Sequence, residues 1–339
     1  MIIRKTARPW ALAAGAVAIA TALIGCSSTP SSTPGSTGAE MPAEMTTIKV
    51  GIQPPSSLAF LHLGVEQGFF EKRNLELEFT DIATSDIGVT SLLSNTIQFA
   101  TTNPGVQALA ASQGIPVSWV SVALTGPEER VDDNVGLYVK PDSSYQSYAD
   151  LEGARVQVPC INCISDLWVR AAVENDGGDP DAVDFVVLSS ADALPALENG
   201  DVDAVLALSQ FVQAANAAGY RSLGDPMLDL ALAQPVLAFA ASDAWANQNL
   251  PTVRAFADAV TESAEFADAN IDEWRAILPT YYPQQVPDAA TAATINAHWS
   301  GCFNRKATET LLSYMNKYGW VHDVTVDDLF YDGIDIAFC

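Results

Sequence analysis

Cys160-Ile-Asn-Cys163 sets two thiols three residues apart, a spacing that suits a disulfide, a thiol-exchange pair or half of a metal site. A metal site needs more ligands than this chain supplies. There is no second CxxC and only three His occur, so no metal is expected, and no cofactor motif is present. Three further cysteines, Cys26, Cys302 and Cys339, stand far away in sequence. The formal net charge is −25, which argues against nucleic acid, because phosphate binding needs a basic surface. Colloidal solubility is sufficient reason for that acidity.

Cys26 closes a distinctive N-terminus. Arg4, Lys5 and Arg8 precede an almost wholly apolar or small run, 9–24, shorter than the ~20 residues of a spanning helix. Residues 1–25 therefore read as a signal peptide. The run ends in Leu23-Ile24-Gly25-Cys26, which resembles the bacterial lipobox, where the thiol receives diacylglycerol and becomes the new N-terminus. An ordinary signal peptide with a stray cysteine is the plainer alternative. The lipobox reading makes the chain an exported lipoprotein, anchored through Cys26 on the extracytoplasmic face of the cell membrane. Residues 26–46 are rich in Ser, Thr, Pro and Gly and lack apolar periodicity, so they read as a flexible tether. Setting Cys26 aside for lipid leaves four cysteines in an oxidising compartment, which suits two disulfides in any of three connectivities.

The body beyond is long enough for two medium domains. Ile48-Lys-Val-Gly-Ile52 reads as a strand, followed by the turn residues Gln53-Pro54-Pro55-Ser56-Ser57 and a helix carrying Leu58, Leu61, Leu63 and Val65. Leu75-Glu-Leu-Glu-Phe79 alternates as a strand does. Ser85 is placed to cap a helix, Ile97-Gln-Phe-Ala100 is a third strand, Asn103-Pro104 starts a helix, and 117–122 is a fourth strand. This βαβα alternation predicts a mostly parallel sheet with helices on both faces. A second such unit runs over 135–219, and an extended segment returns at 236–240. Helices are predicted over 253–267, 290–299 and 308–318.

Five segments in this order resemble a known family. Leu63-Gly-Val-Glu-Gln-Gly-Phe-Phe-Glu-Lys-Arg-Asn-Leu-Glu-Leu-Glu78 behind the first strand is similar to the opening of the solute-binding proteins that serve importers of nitrate, sulfonates, taurine and the pyrimidine precursor of thiamine. Ile97-Gln-Phe-Ala-Thr101 is similar to the family's third strand, although Gln98 stands where Asp is usual. Leu151-Glu-Gly-Ala-Arg-Val156 and Leu197-Glu-Asn-Gly-Asp-Val-Asp-Ala204 resemble its Leu-acid-Gly-Lys-x-Val and L-x-x-G-x-(I/V)-D-A segments. The resemblance covers about 48–239 and implies an α/β, type II periplasmic-binding fold: two α/β lobes joined by two hinge strands that close on a solute. Lobe 1 is expected over 47–138 and 236–339, and lobe 2 over 139–235. The implied partners are a small-molecule solute and the permease and ATPase subunits of an ABC importer, with the chain a monomer. In this fold a cross-lobe disulfide would lock the hinge, so the expected pairs are Cys160–Cys163 and Cys302–Cys339.

The implied cleft lies beyond the carboxyl ends of the strands, at helix N-termini. Its candidate residues are Gln53, Pro54, Ser56, Ser57, Phe60, Ser85, Thr101, Thr102, Asn103, Cys160, Asn162, Ser165, Gln210 and Phe211. Ser85 and Asn103 are equally consistent with plain helix caps, and Phe60 with a place in the core. His62 reads as a surface or internally satisfied histidine, Trp119 as core, and Trp168 is ambiguous, whereas Phe211, opening a helix after a strand, is placed to stack on a ring. No Lys or Arg lies in these loops; Arg130 and Arg170 lie just outside. That points toward a neutral heterocycle or a compact aromatic or zwitterionic molecule, although helix N-termini can also receive an anion. Asp86 or Asp166 would pair with an amine if either faces the cleft. Two rivals remain: an enzyme of the related pyrimidine-synthase type, and a thiol-exchange lipoprotein using Cys160 and Cys163.

Overall fold

The computed structural model describes residues 41–53, 56–131, 135–208 and 210–339; Cys26 and Pro54 lie outside them. Alternation in the sequence becomes two sheets. In β1 (Thr46–Ile52), Ile48, Val50 and Ile52 are buried while Thr47 and Lys49 are both exposed, as a strand at a core surface requires. β1 pairs in parallel with β2 (Leu75–Asp81) on one side and β3 (Phe99–Thr102) on the other. β10 (Pro235–Ser242) runs antiparallel between β3 and β4 (Val117–Thr125), giving the order β2-β1-β3-β10-β4. In the second sheet β6 (Arg155–Val158) is parallel to β7 (Asp184–Val187) and β8 (Ala204–Leu208). β5 (Val135–Val139) runs antiparallel between β8 and β9 (Arg221–Gly224), giving β7-β6-β8-β5-β9.

The two sheets are built by one rule. In each, the antiparallel strand has just arrived from the other sheet: β5 follows β4, and β10 follows β9. The two passages bond to each other, with Gly126 N–H donating to Gln234 O (2.8 Å) and Ala233 N–H to Pro127 O (2.9 Å). Gln234 is fully buried there. Its Nε2 donates to Met227 O and Ala231 O, both at 2.7 Å, and its Oε1 accepts from Trp168 Nε1 at 2.7 Å.

Helices cover both faces: α1 (Phe60–Glu66), α2 (Ser85–Leu93), α3 (Pro104–Ser112), α4 (Ile164–Asn175), α5 (Ser190–Asn199), α6 (Gln210–Ala217), α7 (Pro226–Leu230), α8 (Asp243–Gln248), α9 (Leu250–Ala269), α10 (Ile271–Tyr281), α11 (Ala289–Ala292) and α12 (Arg305–Lys317). One core packs α1, α9 and α10 on the first sheet around Phe60, Phe99, Phe239 and Phe256. A second joins the other face of that sheet to α3, α4, α12 and the second sheet, around Trp119, Leu137, Leu206 and Leu311. Each such side chain, fully buried, contributes roughly 1.5–3 kcal/mol of transfer free energy. Among the described residues no helix is long and apolar enough to cross a membrane.

The helix predicted over 290–299 stops after one turn, at Ala292. Tertiary bonds take the rest. Arg275 donates to Ile295 O (3.2 Å) and Asn296 Oδ1 (2.7 Å), Trp299 Nε1 donates to Ser57 O (3.1 Å), and His298 O accepts from Thr125 N–H (3.1 Å) at the edge of β4. Those tertiary bonds hold the segment in a non-helical path.

Candidate functional site

The carboxyl ends of β1 and β3 and the starts of α2 and α3 meet at one point. Ser85 Oγ, almost fully buried, accepts from Gln53 Nε2 (3.0 Å), Asn103 N–H (3.0 Å) and Asn103 Nδ2 (3.1 Å). Gln53 Nε2 also reaches Thr101 O (3.1 Å), and Gln53 N–H donates to Thr101 Oγ1 (3.2 Å). Gln53, Ser85, Thr101 and Asn103 thus form one knot. Asn103 caps α3, accepting from Val106 N–H at 3.0 Å, with Pro104 in the first helical turn. Ser85 caps nothing: it sits in the first turn of α2, the cap position is Thr84, and its hydroxyl serves the knot instead.

Other candidates lie elsewhere. Thr102 faces the core, where its Oγ1 accepts from Trp119 Nε1 at 2.8 Å. Phe60 is fully buried, 6.0 Å from the ring of Trp299, so it supports the first turn from beneath. Ser56 and Ser57 form the turn itself and are buried. Gln210 and Phe211 open α6 half-buried, and Phe211 packs against the cluster that includes Leu197 and Val205.

The second sheet contributes the loop before α4. Cys160 and Cys163 are joined by a disulfide, with 5.9 Å between their Cα atoms. Asn162 is exposed at φ 55°, a left-handed conformation that Asn tolerates. Ser165 is buried in the first turn. Asp166, fully buried, accepts from Asn162 N–H (2.9 Å) and Arg170 Nε (2.8 Å). Burial pushes its carboxyl up, against the pull of those two donors. Arg170 is spent as well, paired to Asp181 at 3.1 Å and lying over the Phe185 ring at 4.5 Å.

The two halves touch at Gly105. A Cβ there would stand 3.2 Å from Asn162 O and 3.3 Å from the Cys163 Cα, so the first turn of α3 lies against the cysteine loop at a distance that an added side chain would crowd. Sequence reading missed Gly105, although a glycine in the first turn of a helix costs stability and signals a close approach. It also missed Gln157, fully buried in β6. Its Nε2 donates to Leu188 O (2.8 Å), just past β7, while its Oε1 has no partner.

A separate surface cavity of about 600 Å³ lies between β4 and α9. Its cations, Lys72 and Arg73, both pair with Glu262.

Two sheets of the same order, exchanging strands and meeting where strand ends and helix starts converge, define a periplasmic-binding-protein fold. A model of the NMT1/THI5-like family matches residues 56–273, more than half of the sequence, and the chain belongs to that family. Solved structures agree in fold. The aliphatic sulphonate binding protein SsuA of Escherichia coli superposes with a TM-score of 0.68 at 17% identity, over 86% of this chain and 93% of its own. The nitrate-binding protein NrtA of Synechocystis PCC 6803 gives 0.68 at 15% identity, over 86% and 87%. The Candida albicans CA3427 gene product, described as having the generic periplasmic binding protein fold, gives 0.64 at 15%, over 84% and 93%. No curated protein sequence matches this chain significantly.

Proposed function

We propose that this chain is the extracytoplasmic solute-binding subunit of an ABC importer, held to the membrane through lipid on Cys26, which traps a small organic solute between its lobes without chemistry. The observation that carries this reading is the convergence at Gly105. There the helix start of one sheet meets the cysteine loop of the other, beyond the strand ends where ligands of open α/β sheets bind. The sulphonate- and nitrate-binding proteins of the same fold support it. We divide the lobes between β4 and β5 and again between β9 and β10, because β5 pairs only within the second sheet. The hinge then comprises the two bonded passages around Gly126 and Gln234. The permease and ATPase of the importer are the partners, and the chain works as a monomer.

A thermal-shift screen of the full chain against small heterocycles, aromatic acids, amines and sulfonates tests the reading. One compound is expected to raise the melting temperature saturably; a hundredfold excess over Kd corresponds to about 2.7 kcal/mol. Silence across the screen, or turnover of any compound, would reject it. Loss of fatty-acid labelling in Cys26→Ser checks the anchor.

A further inference from the structure

We infer that Cys160 and Cys163 form a thiol–disulfide exchange site, opened by an external dithiol, that sets whether the loop facing α3 is tied or free. The inference goes beyond solute binding: it describes a stoichiometric redox switch on the protein itself and needs no solute. The disulfide bridges the start of α4 and closes a loop of two exposed residues, Ile161 and Asn162. Its sulfurs stand in unlike settings. Cys160 is half-buried and Cys163 only 4% exposed, so an attacking thiolate reaches Cys160. Cys163 is the N-cap of a helix of 12 residues, and its bonded sulfur makes no cap hydrogen bond. Freed as a thiolate, that sulfur is placed to accept from first-turn N–H groups at the positive end of the helix, a setting that stabilises a leaving thiolate. Asp166, in the same turn, is paired with Arg170 at 2.8 Å, which offsets its charge. Cys302–Cys339 lacks this setting: the helix start that follows Cys302, that of α12, is already capped by Asn304 Oδ1 through Ala307 N–H (3.0 Å).

One thiolate of the dithiol attacks Cys160 Sγ. A donor–Cys160 disulfide forms, the Cys160–Cys163 bond breaks, and its electron pair leaves on Cys163 Sγ. The donor's second thiolate then attacks the donor's first sulfur and expels Cys160 Sγ, which takes a proton from solvent. The donor is oxidised to its own disulfide as the cysteine pair is reduced; one donor proton ends on Cys160, and the other stays in solvent while Cys163 is a thiolate. Opening the bond unties Cys160 from α4. Asn162 sits between the two cysteines at φ 55°, its N–H held by Asp166 (2.9 Å) and its oxygen 3.2 Å from where a Cβ on Gly105 would stand. The tie therefore bears directly on the contact at Gly105.

Reduction of the folded full chain with dithiothreitol decides the matter, read by alkylation with peptide mass mapping, hydrogen exchange and far-ultraviolet circular dichroism. Cys160 and Cys163 should become alkylatable together while the dichroism stays that of the parent, and should re-form their bond when oxidised dithiothreitol is added. With the monothiol 2-mercaptoethanol, the trapped adduct should fall on Cys160 about tenfold more often than on Cys163. Hydrogen exchange in the peptide that carries Asn162 should quicken about tenfold on reduction. The double variant Cys302→Ser/Cys339→Ser, which keeps only the short bridge, should respond in the same way. A pair that opens only as the fold is lost, adducts on Cys163, or unaltered exchange at Asn162 overturns the inference. None of these readouts uses a solute, so a silent thermal-shift screen would reject the solute-binding reading and leave this one standing.

Discussion

At position 105 the proposed cleft depends on a missing side chain. An added Cβ would crowd Asn162 O, Asn103 Oδ1 and the Cys163 Cα, all at 3.2–3.3 Å, so two loops from different sheets would have to part by a few tenths of an ångström. Overpacking of this kind costs ~1–3 kcal/mol. Gly105→Ala should therefore raise the Kd for any stabilising solute about tenfold while the melting temperature moves by only a few degrees; an unchanged Kd would show that the approach plays no part in closure. His62 offers a residue-scale prediction of another kind. Its ring stacks on Tyr281 at 3.9 Å and 13° and lies 4.4 Å from Phe79, and burial lowers its pKa to about 4, against the pull of Glu66 and Asp81. The unfolded chain takes up a proton near pH 6.5 while the folded chain resists until about 4, so this contribution to stability is complete above 6.5 and is lost as pH falls toward 4. Partial exposure of the ring reduces the full shift to about 1–2 kcal/mol. Denaturant titrations from pH 7 to 4 should show a shallower decline in His62→Phe than in the parent. Of the polar residues at the strand ends, Gln53, Ser85, Thr101 and Asn103 were legible because each directly follows or precedes a predicted strand or helix. Gln157 was not, because a polar residue inside a strand shows neither its burial nor its unpaired oxygen until the neighbouring strand is in place.

Among the elements, α4 is gripped along its whole length. Its start meets Gly105, its middle is bonded through Trp168 to Gln234, and its end is held by α12. There Tyr314 Oη donates to Asn175 Oδ1 (2.6 Å) and Tyr318 Oη to Glu174 Oε2 (2.9 Å), and Lys317 pairs with Glu174. Lys317, chiefly by hydrogen bonding, holds the Glu174 carboxyl below its usual range. Tyr318→Phe should cost about 1 kcal/mol, the usual net value of one hydrogen bond. The loss should shrink as pH falls through the depressed titration of Glu174, because protonation weakens the acceptor that the phenol uses; a loss that stays constant across that titration would mean that the ring alone carries the contact. The grip on α4 could not be read from sequence, since it joins residues 144 apart. The same limit explains the failed helix over 290–299. Its sequence is compatible with a helix, and bonds that tie it to Arg275, Ser57 and Thr125, all outside the segment, override local preference. By contrast α3, with Asn103 and Pro104 at its start, and α5, with Ser189 before it and Gly200 at φ 79° after it, carry their own boundary signals.

For the molecule as a whole, strand exchange sets what the two disulfides can do. Because β5 and β10 each cross to the opposite sheet, the halves stay joined by two bonded passages, and a covalent staple is useful only where it leaves those passages free to bend. Cys160–Cys163 closes a separation of 3 residues inside the second sheet's loop, whereas Cys302–Cys339 closes one of 37 at the C-terminal end, where Phe303 and Cys339 also share a backbone bond of 3.0 Å. Loop-closure entropy then predicts unequal effects: about 4 kcal/mol for the long loop and about 2 for the short one. Binding should respond the other way round. The long staple holds the chain end beside Phe303, outside the knot at Ser85, while the short one fixes the loop against which Gly105 packs, and ordering that loop at the moment of binding would draw on the affinity. The double variant Cys302→Ser/Cys339→Ser should lower the melting temperature by roughly 8 °C and leave Kd unchanged in the folded protein. The double variant Cys160→Ser/Cys163→Ser should lower it less and weaken Kd several-fold. Parallel thermal melts and calorimetric titrations separate the two effects, and a Cys160/Cys163 variant with full affinity would show that the loop is ordered by its contact with Gly105 and not by its own disulfide.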